Sequence, residues 1–263
     1  MLKLIDPGVV GGGLAVAVFL GILLTLEAGR WIGRVAITRF GRSGQPSVGS
    51  LEAAVFALMG LLIAFTFSGA LGRFDARRAQ AVDEANAIGT AWLRVDLLPA
   101  SAQPKLRQTF RDYVDSRIAT YRRLPDLAAA QRELKRSQQL QNEIWSQAVA
   151  ATRLPEARAQ AEILVMPALN QMFDIVGTRV AAMQMHPPSV IYAMLACLAL
   201  ASGLLSGYQS AGEKVRDWIH HLGFAAIMAF TIYVILDLEY PRLGWIRIDA
   251  IDDLLVQLRA GMN

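Results

Sequence analysis

Cysteine and histidine are scarce in this chain, which has one cysteine and three histidines among its 263 residues. A single cysteine excludes an internal disulfide framework and leaves the redox compartment undetermined. The histidines are His186, His220 and His221, and an adjacent pair cannot present both rings on one helix face to a metal ion. The sequence also lacks a nucleotide-binding loop and a nucleophile motif. We therefore expect no metal, no cofactor and no enzymatic activity.

Charge is also sparse, and neither sign dominates. The net charge is only +4, and charged residues make up 18% of the chain. Such a small and dispersed excess does not indicate binding to nucleic acid. Hydrophobic residues reach 54%, and the mean hydropathy is +0.35. This composition is too apolar for an ordinary soluble domain, so the sequence predicts an integral membrane protein.

Four long apolar runs carry this prediction. Each is close to the length that crosses a bilayer as a helix. They cover residues 9–26, 51–71, 190–208 and 222–238. The first run has no basic segment before it and no small-residue cleavage site after it, so we expect a retained helix and not a signal peptide. The sequence therefore predicts an all-α protein with four transmembrane helices.

The second run continues into a charged segment without a break. Past Glu52, only Thr66 and Ser68 interrupt the apolar part, and residues 73–84 are then rich in arginine and acid. No proline lies between Leu51 and Leu98, so the pattern predicts one helix that runs from the membrane into water.

A polar insert, residues 72–186, separates the second run from the third. Apolar residues recur in it at helical spacing, and prolines divide it into long helices over residues 105–124 and 126–151. A further helix is predicted to open at Pro155 and to be kinked at Pro167. The predicted division is a first transmembrane pair, the insert, a second pair and a tail, with bounds 1–71, 72–186, 187–240 and 241–263. The tail contains a short amphipathic pattern over residues 248–258.

Two charged sets flank the predicted spans. The segment after the first span contains four arginines and, past Glu27, no acid; they are Arg30, Arg34, Arg39 and Arg42. They are expected either to contact lipid headgroups or to form an anion-attracting vestibule. The second set follows the fourth span and comprises Asp237, Glu239, Arg242 and Arg247. It could anchor the helix end, or it could form a gate latch with Arg73, Arg77 or Arg78.

Three stretches resemble the bestrophin-like family of bacterial membrane proteins, which is related to the bestrophin anion channels. They read LIAFTFSGALGRFDARR, RRAQAVDEANAIGTAWLRVDLLP and ILDLEYPRLGWIRID. The first resembles the second bestrophin helix, because an aromatic lies eight residues before an arginine at the end of the span. This chain has Phe74 and Asp75 where bestrophins have paired tryptophans.

The resemblance implies a channel whose neck is lined by apolar residues four apart on the second helix. By position these are Ala57, Leu61 and Phe65, with Arg73 in place of the family's arginine. It also implies a homopentamer in the bacterial inner membrane that conducts an anion such as chloride, with the termini and the insert in the cytoplasm. The residues alone leave open that the three apolar side chains form a packing stripe.

The residues leave two other functions open. Flagellar stator and biopolymer-transport proton channels also have an insert between spans, and they need a partner chain that supplies the ionisable residue. A non-conducting scaffold or sensor would use the helical insert as a docking surface. The distribution of charge does not determine the orientation of the protein in the membrane, because the short loops and the insert's face carry similar numbers of basic residues. We expect an oligomeric ion channel with the lipid bilayer and copies of itself as partners.

Overall fold

Helices form all the long regular elements in the part of the chain that the computed structural model describes, residues 7–41, 48–124, 126–213, 218–242 and 244–262. In chain order, α1 to α8 are Pro7–Phe40, Gly49–Arg94, Gln103–Arg122, Leu127–Thr152, Ala159–Gln184, Ser189–Gln209, Trp218–Glu239 and Asp249–Ala260. Short 3-10 helices follow α2 and α6. Strands are absent from these ranges, so the all-α prediction is confirmed.

Four segments are long and apolar enough to cross a membrane. They contain α1, α2, α6 and α7, which correspond to the four apolar runs of the sequence. The prediction of a membrane protein with four spanning helices is therefore confirmed.

Helix α2 is a single helix of 46 residues that begins in the second apolar run and continues through the charged segment. Its interior has no proline, and the hydroxyl group of Thr66 in the apolar part is satisfied locally. The Thr66 hydroxyl donates to the carbonyl oxygen of Leu62, four residues back, over 2.8 Å. A hydroxyl bonded in this way is compatible with an apolar environment. The continuous helix expected from residues 51–98 is thus present, and it ends at Arg94.

The chain divides into two compact units. The first, called the membrane unit here, comprises Met1–Gly72 and His186–Trp245. In it α1 packs against α6 and α7. Glycine permits this approach, since a Cβ at Gly207 of α6 would lie 2.0 Å from the carbonyl oxygen of Leu26 on α1. The buried core comprises Val18, Ile22, Leu26, Met59, Ala199, Ala225 and Ile232.

The second unit, called the polar unit here, comprises Arg73–Met185 and Ile246–Asn263, so α8 packs with the helices of the insert. Helix α3 packs against α4 and α8, and α4 packs against α5. The Asp126 carboxylate accepts the N–H of Ala129 over 3.0 Å and so caps the first turn of α4. The fully buried side chains of the core include Ile88, Phe110, Tyr113, Ile144, Leu169, Met172 and Leu255.

The start of α5 differs from the prediction. The helix begins at Ala159, so the expected opening at Pro155 is wrong. Arg158 has an extended backbone with ψ of 133°, and Ala157 donates its N–H to the carbonyl of Leu154 in a turn. Pro155 therefore lies in a connecting turn, because an extended residue between it and α5 prevents the helix from starting earlier. Pro167 does lie inside α5, as expected.

Candidate functional site

The predicted neck residues lie together on one exposed stripe of α2. Ala57, Leu61 and Phe65 are four residues apart, so they fall on one side of the helix. All three are exposed, and the exposed fractions of Leu61 and Phe65 are 53% and 67%. The chain itself does not cover this stripe.

Another face of the same helix is packed into the membrane unit. Met59 is only 3% exposed and belongs to the core of this unit. Phe56 contacts Phe224 of α7 edge to face, with ring centroids 5.5 Å apart. The apolar half of α2 therefore has one side that packs on its own chain and another side that is available to lipid or to another subunit.

The arginines that follow the stripe lie in the polar unit. Arg73 is half-buried, whereas Arg77 is buried and donates to two carbonyls at the end of α5. Its Nε lies 3.3 Å from the oxygen of Ala182, and its Nη2 lies 3.2 Å from that of Met185. A cation at this position also complements the negative end of the α5 dipole. Arg77 therefore fixes the end of α5.

Asp237 holds the turn that follows the fourth span. The carboxylate is buried, and both of its oxygens lie 3.1 Å from the backbone N–H of Trp245, which donates to them. The turn approaches so closely that a Cβ at Gly244 would lie 1.3 Å from Oδ1 of Asp237. A side chain at position 244 would displace this carboxylate. Asp237 thus anchors the chain after α7.

Glu239 binds a residue far away in the sequence. Its carboxylate is fully buried and lies 3.0 Å from Nδ1 of His186, whose ring stacks on Tyr240 with centroids 4.6 Å apart. This contact ties the His-Pro-Pro junction before α6 to the end of α7. Arg242 is half-buried. Pairing of this set with the arginines of α2 stays a prediction.

A buried ion cluster lies in the polar unit, and the sequence did not reveal it. Glu84 of α2 is fully buried and binds Arg117 of α3, with Nε and Oε1 2.6 Å apart. Its other oxygen accepts from Tyr121 over 2.9 Å and from Arg179 of α5. Arg179 also reaches Asp252 of α8 over 3.2 Å. The cluster therefore joins four helices.

Burial shifts the pKa of the two tyrosines of α3 upwards. Burial is the main cause of the raised pKa of Tyr121, and it is opposed by the guanidinium of Arg117. Burial likewise raises the pKa of Tyr113 to about 12, although the charge of Arg117 opposes this shift. Both phenols therefore stay neutral near neutral pH and act as hydrogen-bonding groups.

Comparison with known proteins agrees with this architecture. An all-helical chain with four spanning segments and a helical insert between the second and third is an integral membrane protein. A family model for the bestrophin-like domain matches residues 15–250, so the chain belongs to the bestrophin-like family, as its motifs predicted. This family is one of channel-type membrane proteins. No curated protein and no solved structure matches the chain significantly.

Proposed function

We propose that the protein is an oligomeric anion channel with a gate at Ala57, Leu61 and Phe65. The observation that carries the proposal is the exposed apolar stripe of α2, whose three residues are those that the family resemblance assigns to the neck. Symmetric copies of one helix can place such a stripe around a common axis. Two neighbouring faces then have different tasks, since one packs into the membrane unit and the other lines the pore.

The physical properties of the stripe suit a gate. A ring of leucine and phenylalanine side chains excludes water when it is narrow, and a dry constriction blocks ions. Phenylalanine edges carry partial positive charge and so tolerate a passing anion. Arg73 follows Phe65 by about two turns of α2, and arginine charges near a pore mouth concentrate anions. These features support an anion, such as chloride, as the permeant species.

We further propose a homopentamer in the bacterial inner membrane, with the termini and the insert in the cytoplasm. This proposal is supported by the resemblance to the bestrophin channels and by the exposed apolar side chains of α2, which oligomerisation would cover in part. A reporter enzyme that is active only in the periplasm, fused after Asn263, should stay silent. Activity of that fusion would invert the topology, and cross-linking in mild detergent that gives only monomer would contradict the oligomer.

The gate is tested by replacing Phe65 with alanine. Phe65→Ala removes the most exposed large side chain of the stripe, so a pore at this position becomes wider and wetter. We expect the anion flux into liposomes to rise severalfold while the thermal stability changes little. Planar-bilayer recording in asymmetric chloride then reports the selectivity.

Phe67→Ala is the matched control, because Phe67 is also apolar and exposed but lies about 200° further round the helix. It should leave the flux unchanged. An unchanged flux for Phe65→Ala together with a large loss of stability would contradict the gate and favour a packing role. No conductance in either variant or in the wild type would favour a scaffold or sensor.

A further inference from the structure

One arginine of α1 is buried while its neighbours are exposed. Arg30 is only 4% exposed, whereas Arg34 and Arg39 are exposed on the same helix. The sequence pattern does not distinguish these three arginines from one another or from Arg42, which lies outside the described residues. The structure therefore separates Arg30 from the others.

The guanidinium of Arg30 has little to compensate its charge among the described residues. Its Nη2 donates to the carbonyl oxygen of Glu213 over 3.4 Å, a length at the limit of a hydrogen bond. Its Nε is buried and has no hydrogen-bond partner there. No carboxylate of the described ranges lies within ion-pair distance of it. A buried guanidinium with so few partners raises the free energy of the folded protein unless an anion binds to it.

The surrounding backbone keeps Arg30 in place. A Cβ at Gly29 would lie 2.0 Å from the carbonyl oxygen of Leu204, and one at Gly33 would lie 2.7 Å from that of Tyr208. The two glycines on either side of Arg30 thus let α1 pack on the backbone at the end of α6. Carbonyls at a helix end attract a cation, but they do not neutralise it.

The neighbouring residues indicate what the anion is. Trp31 lies five residues past the apolar run of α1 and is 68% exposed, and exposed tryptophans next to apolar spans lie at the level of the lipid headgroups. Arginine is the side chain best suited to binding phosphate, because its planar fork donates two parallel hydrogen bonds. We propose that Arg30 is an anion site for a phosphate group, supplied by a lipid headgroup or as free phosphate. This site is separate from the proposed gate.

Inorganic phosphate and thermal unfolding test the site. An anion that binds only the folded protein raises its unfolding temperature with concentration. In a neutral detergent at constant ionic strength, phosphate should raise the unfolding temperature of the wild type above that in chloride. Arg30→Gln should weaken the apparent phosphate affinity by about tenfold or more, the value of a hydrogen-bonded charge pair. Arg34→Gln is the matched exposed control and should respond like the wild type.

A vesicle series identifies the source of the phosphate. Wild type and Arg30→Gln are reconstituted into phosphatidylcholine alone or with added phosphatidylglycerol. Stabilisation by phosphatidylglycerol that depends on Arg30, with no effect of inorganic phosphate in detergent, identifies a lipid headgroup. The opposite result identifies free phosphate.

The proposal is overturned if neither phosphate nor phosphatidylglycerol stabilises the wild type, since Arg30 then only binds the carbonyl group of Glu213. It is also overturned if Arg34→Gln loses the response as fully as Arg30→Gln does. Should Arg30→Gln fail to fold, Arg30→Lys replaces it, because lysine keeps the charge but loses the planar fork. That variant should keep part of the phosphate response.

Discussion

The helices within each of the two units are stabilised by a different kind of contact. In the membrane unit, α1 and α6 touch through glycines, and the buried apolar core of its described residues consists of aliphatic residues and Met59, without a buried aromatic ring. In the polar unit, helices meet through aromatic side chains such as Phe110 and Tyr113 and through the buried cluster around Glu84. Between helices in lipid there is no hydrophobic driving force, so close backbone contact must supply the attraction. In water, burial of large side chains supplies it.

This difference predicts which kind of substitution damages each unit. The membrane unit should be most sensitive to added volume at its glycines. The polar unit should be most sensitive to removal of a charge from its cluster.

Glu84→Gln should cause the largest loss. The substitution keeps the shape but leaves Arg117 and Arg179 without their shared carboxylate, and an unpaired buried charge costs about 3–5 kcal/mol. The free energy of unfolding of the full chain, measured by denaturant titration, reports this loss.

Asp83→Asn is the control, because Asp83 is the exposed neighbour of Glu84 on the same helix. It should change the free energy of unfolding by less than about 0.5 kcal/mol. Equal effects of the two substitutions would show that the cluster is not what stabilises the polar unit.

Gly207→Ala should destabilise the membrane unit. The new methyl group would overlap the carbonyl of Leu26, so α1 and α6 must separate. Overpacking of this kind costs roughly 1–3 kcal/mol. Titration with dodecyl sulfate, followed by circular dichroism, measures the change.

Gly223 of α7 provides the comparison, since a Cβ there would meet no other atom within 4 Å. Gly223→Ala should be neutral or slightly stabilising, because alanine favours helix more than glycine does. If both glycine variants are neutral, close contact between α1 and α6 is not what holds this unit.

Alkaline pH should weaken the polar unit through Tyr113. Its pKa is about 12 in the folded protein and 10.0 in an unperturbed tyrosine. Between these values the unfolded chain has lost the phenolic proton while the folded protein keeps it, so stability falls as the pH rises. The slope is about 1.4 kcal/mol per pH unit at most.

Tyr113→Phe should remove this part of the slope, which unfolding measurements across the alkaline range detect. The variant also loses the hydrogen bond from Gln141, so its stability near neutral pH should be slightly lower. Parallel pH profiles for wild type and variant would contradict the raised pKa of Tyr113.

The helices of this fold could be predicted from sequence because their signals are local. Apolar runs of spanning length gave the four membrane helices, and the absence of proline gave the long α2. The predicted helix start at Pro155 was wrong, because proline is common both in connecting turns and in the first turn of a helix. What decides between them is the extended backbone of Arg158, which the local pattern does not reveal.

The side-chain contacts could not be predicted in the same way, because they join distant parts of the chain. Glu84 meets Arg179 across 95 positions, and Glu239 meets His186 across 53. Arg30 and Arg34 look equivalent in the sequence, and only the packing of α1 on α6 separates them. The neck residues Ala57, Leu61 and Phe65 came from family resemblance, and their role stays a prediction.

The cluster in the polar unit restricts how this protein can evolve. Its two carboxylates and two guanidinium groups balance each other, so a change at any one position leaves a charge stranded in the interior. A single replacement that removes the charge of Glu84, Arg117 or Arg179 therefore destabilises the polar unit until a second replacement restores the balance. Related sequences should therefore keep these charged residues together, or replace several of them by apolar residues at the same time.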